Sequence, residues 1–105
     1  MAATRFDPRE KGTDWTLAKL AKAQRERKPT TIMSPQKADA TQDTKEMSEA
    51  ITGLYFWHFY AVIGVDEEAR RVKLFNPWGR DHPGEDGWVD IDVIKTFFKE
   101  VAINE

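Results

Sequence analysis

Two residues of this 105-residue sequence have the types and spacing for proton-transfer chemistry. His58 sits inside the aromatic, β-branched run "WHFYAVIGV", 57–65, and Asn76 opens "NPWG", 76–79. A histidine in such a run carries a polar tip that needs a hydrogen-bond partner. "LYFWHFYAVIGV", 54–65, and "RRVKLF", 70–75, read as the strands of an antiparallel hairpin that turns at "DEEA", 66–69. The turn lies midway between His58 and Asn76, so both fall at the same open end of the ladder. An amide oxygen there accepts from one imidazole nitrogen. That fixes the ring's tautomer and leaves the other nitrogen for proton transfer. Asparagine does this without adding charge. Pro77 stiffens the turn, and Trp78 is expected to shield the His–Asn contact from water.

The remaining elements must hold this pair. Residues 1–12 are polar, with Pro8 and Gly12 as breakers, and read as a mobile lead-in. "TDWTLAKLAKAQRERK", 13–28, is rich in helix formers, with Leu17, Leu20 and Ala21 as a short apolar stripe that ends at Gln24. Thr13 or Asp14 is placed to cap it, and Pro29 to stop it. "TTIM", 30–33, reads as a strand, "SPQKADATQDTKE", 34–46, as a surface loop, and "MSEAITG" as a short helical turn. The run 54–65 is too uniformly apolar for a half-solvated strand, which predicts a central strand covered on both faces. Alternation puts Phe56, His58, Tyr60 and Val62 on one face and Trp57, Phe59, Ala61 and Ile63 on the other. "NPWGRDHPGEDG", 76–87, reads as a long loop, "WVDID" as a strand leading into a helix at 92–99, and "VAINE" as a closing strand. The expected class is α+β. A twisted antiparallel sheet or partial barrel carries the 54–75 hairpin at its centre, with a few flanking helices. Residues 13–105 form one domain in this reading.

Bulk properties narrow the function. The net charge of −2 gives no basic face, so nucleic acid and anionic membrane are poor partners. Apolar residues make up 40% of the chain, which argues against disorder. No apolar run approaches a membrane span, and the first residues lack a signal-peptide core. There is no cysteine, so the chain supplies neither a disulfide nor a thiolate. That is compatible with the cytoplasm.

The stretch "HFYAVIGVDEEARRVKLFNPWG" resembles the His-to-Asn segment of calpain-like cysteine proteases, which have the papain-like fold. The family pattern is His-x-Tyr, a hairpin, then Asn-Pro-Trp-Gly, here His58-Phe59-Tyr60 and Asn76-Pro77-Trp78-Gly79. Downstream, "GWVDIDVIKTFFKEVAINE" is similar to the family's Trp-bearing strand, Phe-rich segment and final strand. The likeness covers residues 47–105, with a weaker continuation back through "KPTTIM". It implies the C-terminal subdomain of such a protease core. It also implies His58 as general base and acid, Asn76 as its orienting residue, and Trp78 as the flanking, substrate-side tryptophan. The family's nucleophilic cysteine and oxyanion-hole glutamine lie in an N-terminal half that has no counterpart here. The resemblance therefore implies half an active site, inactive alone. Its partners would be a peptide or protein substrate and a cysteine-bearing half supplied in cis or in trans.

Other chemistries are weaker. His82 reads as an exposed loop residue, and a His58–His82 metal site with Asp81 or Asp86 lacks ligand spacing. Ser34 and Ser48 lie in no nucleophile motif. No cofactor is expected. The alternative function is a non-catalytic remnant that binds protein, through an exposed sheet edge or an uncovered aromatic wall.

Overall fold

The computed structural model describes residues 3–105. Six strands form one sheet: β1 (Ala3–Phe6), β2 (Thr30–Met33), β3 (Phe59–Asp66), β4 (Arg71–Phe75), β5 (Trp88–Asp90) and β6 (Glu100–Asn104). Their spatial order is β1-β6-β2-β3-β4-β5, and every neighbouring pair is antiparallel. Three α-helices accompany it: α1 (Thr13–Arg25), α2 (Gln42–Ala50) and α3 (Ile91–Phe97). The architecture is α+β. The hairpin β3–β4 lies inside the sheet, nearer to the β5 edge than to the β1 edge.

α1 forms where the run of helix formers sits, and its stripe of Leu17, Leu20 and Ala21 is buried. The helix packs on β3 and α3. Its first residue follows Gly12, with no side-chain cap from Thr13 or Asp14. It ends before Pro29, because Arg27 already adopts a left-handed φ of 56°. Gln24, where the apolar stripe stops, donates to the Val62 carbonyl instead, at 3.0 Å. α3 starts with Asp90 accepting from the Asp92 amide and buries Ile94 and Phe97 completely. Those two join Leu20, Ile32, Tyr60, Leu74, Phe98 and Val101 in one core.

The structure corrects several expectations. Residues 3–12 are not a mobile lead-in. β1 pairs with β6 from Ala3↔Asn104 to Phe6↔Val101, and Asp7 caps a 3-10 turn at Pro8–Glu10. Phe6 packs on the core and stands edge-on to Trp15, with centroids 4.9 Å apart. A four-residue edge strand keeps its polar residues in water, so its composition resembles a tail. Met1, the other part of that expectation with Ala2, lies outside the described residues. The loop expected over 34–46 contains the first half of α2, which Thr41 caps through the Thr44 amide. The strand expected from residue 54 starts at Phe59. Alternation along β3 holds, yet its second face is open: Phe59 is 53% and Ile63 49% exposed. The core lies on the Tyr60 and Val62 face alone. A bulge between Val62 and Gly64 then shifts the register against β4, and Val65 packs against the core again.

No helix among the described residues is long and apolar enough to cross a membrane.

Candidate functional site

The segment before β3 does not enter the ladder because a side chain takes its backbone bonds. Ser34, fully buried at the end of β2, donates its Oγ proton to the Tyr55 carbonyl at 2.7 Å and accepts from the His58 amide at 2.9 Å. The Ser34 amide donates to the His58 carbonyl, and the Trp57 amide to the Pro35 carbonyl. These bonds hold Trp57 at a φ of 52°, a left-handed conformation that costs a bulky residue strain energy. Tyr60 clamps the other side: its hydroxyl donates to the Gly53 carbonyl at 2.6 Å and accepts from the Tyr55 amide at 2.8 Å. Burial pushes the Tyr60 phenol up to about 12, so it stays a protonated donor.

Removing the Ser34 hydroxyl leaves two backbone groups of this turn without that partner. Ser34→Ala is expected to lower the unfolding free energy by about 1–3 kcal/mol. Urea denaturation checks this, and a change under about 0.5 kcal/mol, as at an ordinary surface site, would contradict it.

The hairpin brings His58 and Asn76 together. His58 Nε2 and Asn76 Oδ1 are 2.9 Å apart. The proton's place follows from Asn76's other bonds. Its Oδ1 also accepts from the Trp78 amide at 3.1 Å, and its Nδ2 donates to the Asp81 carbonyl at 3.2 Å. Only one orientation of the amide satisfies both, with the oxygen toward His58. His58 Nε2 must then carry the proton, and in the neutral ring Nδ1 is the free base. No hydrogen bond of the described residues engages that nitrogen.

Asn76 has no exposed surface, so its contact with His58 is kept from water. Three rings surround the imidazole, all near edge-on: Trp78 at 4.6 Å, Tyr60 at 4.9 Å and Tyr55 at 5.7 Å between centroids. Trp78 covers the ring as its position suggested and is itself 54% exposed. The Gly79 amide donates to the Asn76 carbonyl at 2.9 Å, closing the Asn-Pro-Trp-Gly turn. Among the described residues, no charged side chain hydrogen-bonds to the pair.

His82 is the residue that sequence reasoning missed. It is half-buried, and its Nδ1 accepts from the Asn76 amide at 3.0 Å. Its ring lies 4.8 Å from that of Phe75. His82 was legible as a histidine in a loop, but nothing local ties it to Asn76. His58 Nε2 and His82 Nδ1 thus both bond to Asn76, one to its side chain and one to its main chain. No group of three or more His, Cys, Asp or Glu among the described residues is placed to hold a metal ion. Ser34 Oγ is committed to the backbone, and Ser48 Oγ donates to the Lys45 carbonyl within α2.

The arrangement can accept and return a proton at Nδ1, beside a surface that carries exposed aromatic rings. The chain has no cysteine to serve as a nucleophile. Compared with known proteins, the chain matches no family model, and no curated protein matches it.

Proposed function

We propose that this chain is the His/Asn-bearing half of a Cys–His–Asn peptidase site, of the calpain-like, papain-fold kind. The observation that carries the reading is the orientation of the His58 ring: Nε2–H is held by a buried, neutral Asn76 and Nδ1 is left as a free base. A thiol brought to Nδ1 by another segment or chain gives up its proton there, and the thiolate attacks a peptide carbonyl. The C–N bond breaks as the leaving amine takes the proton back from Nδ1. Water, deprotonated at the same nitrogen, then hydrolyses the thioester. Asn76 keeps the ring in place through both proton transfers, and the Trp78 face flanks the substrate. Such thiolate chemistry suits a reducing compartment such as the cytoplasm.

The test is complementation. The chain is mixed with the separately produced cysteine-bearing half of a calpain-like protease, and hydrolysis of a fluorogenic peptide is followed. Turnover that depends on His58 supports the reading, and turnover indifferent to His58→Ala overturns it.

A second reading rests on a different observation. Trp57, Phe59, Ile63, Phe75 and Trp78 are all exposed large apolar residues in or beside the β3–β4 hairpin. A non-catalytic protein-binding module would use such a wall. That module tolerates His58→Ala and loses its partner when Phe59 and Phe75 are replaced.

A further inference from the structure

We propose that His82 is a positioning residue: by holding the main chain of Asn76, it keeps the Asn76 amide oxygen on His58 Nε2. The role serves catalysis only if the peptidase reading of His58 and Asn76 is right, but the geometry it controls is measurable without turnover.

Asn76 is the first residue past β4, where the strand pairing stops at Phe75. Its backbone amide is buried and must find an acceptor. The one it finds is His82 Nδ1, at 3.0 Å. An imidazole nitrogen accepts only when it carries no proton, so His82 must present a neutral ring with its proton on Nε2. The residue before it takes the side chain: the Asp81 carbonyl accepts from Asn76 Nδ2 at 3.2 Å. Two consecutive residues thus hold Asn76 by its two amides, one main-chain and one side-chain. With both N–H groups fixed, the side-chain oxygen has one direction left, toward His58 and the Trp78 amide.

The holding residues are themselves anchored. A Cβ at Gly53 would lie 2.6 Å from the His82 carbonyl oxygen and 2.7 Å from that of Asp81, so the loop is pressed against a backbone with no side chain. The Gly84 amide donates to the Thr52 carbonyl at 2.8 Å, and the Glu85 amide to the His82 carbonyl at 2.9 Å. Asp81, in the same loop, adopts a φ of 55°, in the left-handed region. The segment at 52–53 precedes the His58 turn, so one contact ties the loop to both members of the pair.

Two substitutions separate acceptor from ring. His82→Phe keeps an aromatic ring beside Phe75 and removes the acceptor. His82→Asn removes the ring and offers a side-chain oxygen close to where Nδ1 stood. The readout is the His58 Nε2–H proton, followed by 15N-edited NMR of the whole chain at about pH 8, above the ordinary histidine range. Wild type is expected to show a resolved signal, because the proton is hydrogen-bonded beneath Trp78. H82F is expected to lose it to solvent exchange, and H82N to regain it. An unchanged signal in H82F overturns the proposal, as does loss in both variants when both remain folded. Should H82F fail to fold, the wild-type chain decides. A scalar coupling between the Asn76 amide nitrogen and His82 Nδ1 reports the hydrogen bond directly, and its absence overturns the proposal. Failure here leaves His58-dependent turnover untouched, and failure of the peptidase reading leaves these signals untouched.

Discussion

A His58→Ala chain is expected to lose about 10²–10⁴-fold of the turnover that wild type supports with a cysteine-bearing half, the range carried by general acid–base groups. The size follows from what the ring does. In the proposed reaction it takes the thiol proton before attack and returns it to the amine, and no other hydrogen-bonding side chain of the described residues contacts the Asn76 oxygen. The Tyr60 ring stands 4.9 Å away between centroids, and its phenol, at about 12, is committed to the Gly53 carbonyl. Ser34 is held by the backbone. The substitution leaves the Asn76 oxygen its Trp78 amide, so the turn retains one of its closing bonds and the variant is expected to fold. Circular dichroism and peptide hydrolysis measured together separate lost chemistry from lost structure. A folded variant with wild-type turnover excludes His58 as the base and favours the binding-module reading.

Phe98→Ala is expected to cost about 3–5 kcal/mol of folding free energy, a large part of the ~5–15 kcal/mol that holds a domain together. Phe98 ends α3 with no exposed surface. Its ring stands edge-on to Phe97, 5.1 Å away, and to Tyr60, 5.6 Å away. Truncation removes apolar surface and leaves a cavity beneath the tyrosine that clamps residues 53–55. Urea unfolding measures the loss, with Phe59→Ala as the control. Phe59 is 53% exposed on the open face of β3, so its truncation is expected to change stability by no more than about 0.5 kcal/mol. Equal effects at the two phenylalanines would mean that the core lies elsewhere.

Local pattern carried much of this fold. Helix formers with Leu17, Leu20 and Ala21 in register specify α1, and the symmetric hairpin places His58 and Asn76 at one end of the ladder. What stayed hidden depends on residues far apart in sequence. β1 exists because Ala3–Phe6 finds β6, and its own residues are polar enough to pass for a tail. The open face of β3 reflects where the helices pack, which hydrophobicity along one strand does not encode. Ser34 and His82 belong to segments without periodicity. Ser34 matters through bonds to backbone groups 21 and 24 residues away, at Tyr55 and His58, and His82 through one bond to the Asn76 amide, 6 away. Hydrophobic periodicity locates elements, whereas a polar side chain that satisfies a distant amide leaves no periodic trace.

The strand order has a consequence for how the chain assembles in time. β6 is the last strand in sequence, yet it lies between β1 and β2, and Ala3 pairs with Asn104. During synthesis β1 has no neighbour until residues 100–104 have been made, and β2 has only β3 before then. Helix α1 and the β3–β4 hairpin can form early from local contacts, but the sheet closes around its late-arriving strand. Bringing residues that distant together costs more chain entropy than any other pairing in the sheet. Folding is therefore expected to be slow for a chain of this size, as topologies dominated by distant pairings are. The β1–β6 ladder is the natural place for unfolding to begin, so its amides should exchange with solvent ahead of those that flank His58.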